Sequence, residues 1–204
     1  MSKKNTILLI AFLVLVAITG IFVLIKNKPQ KASDSLTYSN ADYGFSLSYP
    51  KTTRLITAKS DMQGLGYFPT CNYETAVVCI YLPPELYPHS NYTGAGVSIN
   101  IVPQKTTLES CTALSEYERE IAGVVTIGKN SFTSYLAGDA AMSHQSVGID
   151  YRSFIHNTCY EITTRLNTST FEVYEAGSIH KFTDEQKAAI QKLLQSIVQS
   201  FSLN

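Results

Sequence analysis

Between Thr6 and Ile25 the chain runs for twenty residues without a charge, TILLIAFLVLVAITGIFVLI, bracketed by Lys3 and Lys4 on one side and Lys26 on the other. A helix of that length rises about 30 Å, the thickness of a bilayer's hydrocarbon core, so the run is expected to span a membrane and tether everything after it. A cleaved secretory signal is the alternative. Its apolar stretch is shorter, about 7–15 residues, and stops at a small-x-small site. Here Ile21, Phe22, Val23 and Leu24 continue past the only small pair, Thr19 and Gly20, so the run reads as an uncleaved signal-anchor. A lipoprotein signal would end in cysteine, and the first cysteine is Cys71; a pilin leader needs an early glutamate, and the first acid is Asp34.

Orientation does not follow from the lysines, because Lys3 and Lys4 with the terminal amine balance Lys26, Lys28 and Lys31. A short N-terminal tail usually stays inside while a large domain translocates, which predicts a cell-membrane protein with its C-terminal domain outside the cytoplasm. The cysteines give a second argument. Cys71, Cys79, Cys111 and Cys159 form an even set without the CxxC spacing of a zinc site, so two disulfides are expected, against four buried thiols in a cytosolic domain. Of the three pairings, Cys71 with Cys79 across a local hairpin is favoured, leaving Cys111 to tether a helix to the strand of Cys159. The organisation is then a tail at 1–5, the anchor at 6–25, a basic polar linker at 26–36 and one domain at 37–204. Beyond Lys31 eleven Lys and Arg face sixteen Asp and Glu, a formal charge of −5 that speaks against a nucleic-acid partner.

Within the domain, short β-rich runs alternate with turn residues. LTYSNADYGFSLSYP predicts two strands around an Asn40–Gly44 turn, with Phe45, Leu47 and Tyr49 on one face and Pro50 closing the second. Further strands are expected at TRLITA, GYFPT, VVCIYL and GVSINIV, and then at AAMSHQSV, DYRSFIH and TCYEITTRL. One helix is predicted from a Thr106 cap with Glu109 three residues on, running to Gly123. The second is capped by Thr183, with Gln186 completing a capping box, and aligns Ile190, Leu193, Leu194, Ile197, Val198 and Phe201 on one stripe.

The opening YSNADYGFSLSYP resembles the start of PsbP-like and Mog1-like domains, and QKLLQSIVQSFSL resembles their closing helix and strand. The resemblance implies an α+β fold, an antiparallel β-sheet packed by helices in a PsbP/Mog1-like α/β/α sandwich, preceded here by the transmembrane helix. It touches only the two ends of the domain. The motifs are structural, so no ligand residue and no photosynthetic role come with them.

Catalytic signatures are scarce. His89, His144, His156 and His180 lack metal-ligand spacing, no GxSxG occurs, and GKNS at 128–131 is not a phosphate loop, so no catalytic residue, metal or cofactor is expected. The least implausible constellation for a hydrolase is Asp139, His144, Asp150 and His156, which needs the chain to bring them together, with VGID at 147–150 as a hairpin turn. Asn91 and Asn167 match the glycan-acceptor pattern. Tyr81, Tyr87 and Tyr92 sit among Pro83, Pro84 and Pro88 in a stiffened segment that reads either as a recognition loop or as rings folded back over the sheet. The functional expectation is a non-catalytic binding or accessory module, touching lipid through its helix and an envelope protein or glycan through its domain. A structural subunit of an envelope complex is the other alternative, although Gly20 stands alone without a small-xxx-small repeat.

Overall fold

The fold was described from a computed structural model, which covers residues 34–204 apart from 64, 66–69, 72, 73, 116 and 117. The expected anchor at 6–25, the linker as far as residue 33 and most of the GYFPT strand lie outside the described residues. Among the described residues no helix is long and apolar enough to cross a membrane.

A three-stranded sheet opens the domain. β1 (Ser35–Asn40) pairs antiparallel with β2 (Phe45–Pro50), which also pairs with the terminal β10 (Ser202–Leu203). Gly44 turns the β1–β2 hairpin at φ +62°, and Phe45, Leu47 and Tyr49 face the core while Ser46 and Ser48 do not. A larger sheet has the order β3 (Arg54–Ile56), β4 (Ala76–Leu82), β5 (Tyr92–Ile101), β9 (Thr158–Ser169), β8 (His144–Ile155), β7 (Asn130–Ala141), β6 (Glu118–Ile127). Every one of these pairings is antiparallel. The long strands are the hairpin partners β7, β8 and β9, whose two-residue turns at Met142–Ser143 and His156–Asn157 take positive φ at both positions. Such turns match the right-handed twist of the strands they join.

Among the described residues the α-helices are α1 (Lys59–Met62), α2 (Leu108–Thr112) and α3 (Asp184–Gln199). The α3 prediction holds in detail. Thr183 Oγ1 accepts from the Gln186 N–H, Gln186 Oε1 accepts from the Thr183 N–H, and Ile190, Leu194, Ile197 and Val198 are buried. It packs against β5, β9 and β2, and the core contains Phe45, Val97, Ile99, Ile162, Phe182 and Phe201.

The helix expected from 106 to 123 is overturned. Among the described residues of that span only Leu108–Thr112 is helical, capped by Thr107 with Ser110, and Ala113 leaves it in extended geometry at ψ 134°. The continuation EREIAGVVTI is β6, and Gly123, at φ +68°, sits in a register irregularity instead of a helix C-cap. Its β-branched Val124, Val125, Thr126 and Ile127 favour the pleated ladder with β7, which outweighs the helical spacing read from its charges. The VGID turn is overturned as well. β8 runs straight through it, because Gly148 is needed for close approach: a Cβ there would lie 1.7 Å from the Thr164 carbonyl oxygen. Without a Cβ the neighbouring backbone fits, and Thr164 Oγ1 accepts from the Ile149 N–H at 2.8 Å and donates to its carbonyl at 3.1 Å.

Candidate functional site

The face of the large sheet away from α3 is charged. Asp150 and Arg152 of β8 and Glu161 and Arg165 of β9 point there at alternating positions, and Glu118 of β6 turns toward them. Relative exposure is 6% at Glu118, 4% at Asp150, 5% at Arg152 and 9% at Glu161, so these charges persist only because they are paired. Arg152 Nη2 lies 2.5 Å from Glu118 Oε1, Nη1 donates to Glu118 Oε2 at 3.0 Å and to the Ala113 carbonyl at 2.9 Å, and Nε donates to Glu161. The Tyr135 ring lies 5.0 Å from its guanidinium carbon, within cation–π range. Beside it Arg165 holds both oxygens of Asp150, at 2.5 and 2.9 Å.

This arrangement ties the segment after α2 to the sheet. Ser115 donates its backbone N–H to Glu118 Oε2 at 2.9 Å, and Tyr135 Oη donates to the Thr112 carbonyl at 2.5 Å. Cys111 of α2 is bonded to Cys159 of β9, Cα to Cα 5.6 Å, while Cys71 is bonded to Cys79 of β4 at 6.0 Å. Burial pushes the Asp150 carboxyl from 3.8 up to about 6 against the pull of Arg165. Burial also pushes Glu118 up, but the Ser115 N–H and the Arg152 charge outweigh it and leave that carboxyl below its ordinary value. The pairs leave Arg152 and Glu118 no open position for a substrate. Strand alternation of Asp150 with Arg152 and of Glu161 with Arg165 is visible in the expected strands, but the sequence does not show that the two strands pair and set Arg152 opposite Glu161.

The hydrolase constellation does not assemble. His144 and His156 bound opposite ends of β8, about 40 Å apart at roughly 3.3 Å per residue, with Asp150 paired to Arg165 between them and Asp139 exposed on β7. Among the described residues no group of three or more His, Cys, Asp or Glu is placed to hold a metal. The sequon asparagines are both buried. Asn91 donates to the Ser169 carbonyl at 2.6 Å and accepts from the Phe182 N–H at 2.8 Å, and Asn167 donates to Thr70 at 3.0 Å, so neither presents its amide to a glycan-transferring enzyme.

The three tyrosines of the proline-rich segment turn inward. Tyr81 belongs to β4 and packs with Met62 and Cys71; Tyr92 opens β5 and donates to the Leu82 carbonyl at 2.8 Å. Tyr87, half-buried in the connecting loop, meets Phe182 and Tyr92 at ring separations of 4.9 and 5.4 Å, and burial holds the Tyr92 hydroxyl well above its usual range. The rings pack into the domain's own apolar clusters.

Two openings stand out among the described residues. One, of about 490 Å³, lies at the sheet end beside the His156–Asn157 turn and is polar, lined by Lys59, Glu74, Lys105 and Thr158. The Lys105 amine lies below its ordinary value through burial and the nearby Arg152 charge. The other is a groove of about 430 Å³ between α3 and β7–β8, with Leu136, Val147, Ile149 and Leu194 in its walls, and it continues past Val147 and Leu166 into a further 130 Å³. Leu136 and Val147 are 48% and 47% exposed, a high figure for neighbouring aliphatics on a sheet face. The sequence marked neither residue, because an exposed strand valine looks like a buried one until the helix is placed.

No known protein family matches the chain and no curated protein is recognisably similar in sequence. Among solved structures, the PsbP protein CyanoP of Synechocystis sp. PCC 6803 is similar at TM-score 0.43 and 12% identity, covering 87% of this chain and 96% of its own. LpqN of Mycobacterium tuberculosis, described as involved in cell envelope biogenesis, gives 0.43 and 10%, covering 83% and 90%. The Ran-binding protein Mog1p of Saccharomyces cerevisiae gives 0.42 and 13%, covering 84% and 96%. Against a Bacteroides thetaiotaomicron protein at 0.43 and 9%, covering 82% of this chain, the chain spans about half, 48%, of that protein's length. The neighbours thus include the PsbP and Mog1 proteins that the two ends of the domain resemble. At these scores and identities they carry no argument about ligand, partner or chemistry.

Proposed function

We propose that the chain is a membrane-anchored, extracytoplasmic, non-catalytic module that docks a protein partner on the α3 side of β7 and β8. The observation that carries the reading is the groove beside α3, where Leu136 and Val147 stay open to solvent while α3 packs on the adjoining strands β5 and β9. Leaving two aliphatic side chains half-exposed forgoes the burial available to them, roughly 1 kcal/mol each, and a partner recovers it. The charged face opposite serves a different end, since its pairs are turned on one another. The uncharged run at 6–25 supports the anchor, and the two cysteine pairs support an oxidising compartment outside the cytoplasm.

Affinity isolation of the full chain from membranes tests this, comparing wild type with Leu136→Arg and Val147→Arg. The expected result is loss of the co-isolated protein in both variants with an unchanged melting transition. Retention of the same protein in both would sink the docking assignment. Mass-spectrometric thiol mapping of the same material tests the compartment, and four free thiols would reverse it.

A further inference from the structure

From the shape and charge of the groove we infer that its occupant is an amphipathic α-helix with acidic flanks, lying alongside α3 on β7 and β8. The inference rests on the docking reading above and names the partner element. α3 lies over β5 and β9, and the sheet continues β9, β8, β7. Helices on one sheet face pack about 8–10 Å apart, which is about two strand spacings of roughly 4.8 Å, so the next helix in the layer belongs above the β8–β7 pair. That is where the groove lies. Its α3 wall runs from Lys187 to Gln195, about 12 Å of helix, enough for two turns of a neighbour.

Charge selects among helices. No aspartate or glutamate lines either part of the groove, although the sequence beyond Lys31 carries a net −5. Lys192 stands exposed on the α3 wall, and Arg119 of β6 stands exposed opposite Leu136 in the β6–β7 register, on the same face of the sheet. Lys187 pairs with the exposed Asp184, at 3.3 Å. An apolar floor between two basic rims matches a helix with aliphatic residues on one face and carboxylates on both shoulders.

The test uses the full chain in nanodiscs of neutral lipid, methyl-labelled at valine, leucine and isoleucine, titrated with two synthetic helices of about four turns. Both carry leucines on one face; one is flanked by glutamates and the other by lysines, and empty discs serve as the blank. The expected result is that the glutamate peptide shifts the Val147, Leu136 and Ile149 methyls. In the Arg119→Glu/Lys192→Glu variant its affinity should fall about tenfold and the lysine peptide should become the better ligand. Equal or tighter binding of the lysine peptide to wild type overturns the inference, as does the absence of methyl shifts with either. If neither peptide binds while Val147→Arg still costs the chain its native partner, the helix assignment falls and the docking reading stands. If Val147→Arg costs no partner, both fall.

Discussion

Arg152 and Glu118, thirty-four residues apart, are joined by two hydrogen bonds inside the domain, Nη2 to Oε1 and Nη1 to Oε2. Through that pair, β8 holds the start of β6 and the end of α2 in place. Arg152→Met should therefore leave Glu118 and Glu161 as uncompensated buried charges and cost about 3–5 kcal/mol in urea unfolding. Adding Glu118→Gln should recover part of the loss. Additive costs in the double variant would mean the two side chains are not coupled.

Asp150 gives the stability a pH dependence with a definite sign. Its folded-state carboxyl, raised from 3.8 to about 6, holds its proton more tightly than in the unfolded chain. The corresponding stability is fully present below about pH 4 and is lost as pH rises through 6, a difference of about 3 kcal/mol. Glu118 runs the other way: lowered below its ordinary 4.5, it stabilises above that value and its contribution fades on acidification. Unfolding free energies measured between pH 5 and pH 7.5 should fall with rising pH in wild type, and this slope should flatten in Asp150→Asn.

Gly148 and Gly123 separate two reasons for glycine. At Gly148 an added Cβ meets the Thr164 carbonyl at 1.7 Å, whereas at Gly123, φ +68°, nothing lies within 4 Å. Gly148→Ala should thus cost at least about 3 kcal/mol through overpacking of backbone. Gly123→Ala should cost about 1 kcal/mol, the strain of a left-handed alanine. Equal costs would contradict the straight path of β8.

The two disulfides close loops of different length, 48 residues for Cys111–Cys159 and 8 for Cys71–Cys79. Chain entropy assigns them about 4 and about 2.5 kcal/mol. Paired replacement by serine, followed by denaturant titration, should rank them in that order.

Legibility divided along physical lines. The β1–β2 hairpin, α3 with its cap and stripe, and the cysteine pairing could be read from sequence because each rests on local chemistry: a turn glycine, a capping box, an even cysteine set. The stretch from Leu108 to Gly123 and the passage of β8 through Gly148 could not. There, Glu118 is fixed by Arg152 across thirty-four residues, and Gly148 answers to Thr164 on the next strand, so long-range contacts override the local spacing. The groove was illegible for the same reason, since Val147 is distinguished only by where α3 stops covering β9's neighbours.

If the face holding Val147 is the docking surface, a partner lies within reach of Val147 and not of the opposite face. The most direct measurement is photo-crosslinking in the cell from the full chain, with the crosslinking residue placed at Val147 or, on the opposite face, at the 66% exposed Val124. The expected result is a discrete adduct to one protein from Val147 and none from Val124. Adducts from Val124 with Val147 silent would contradict it.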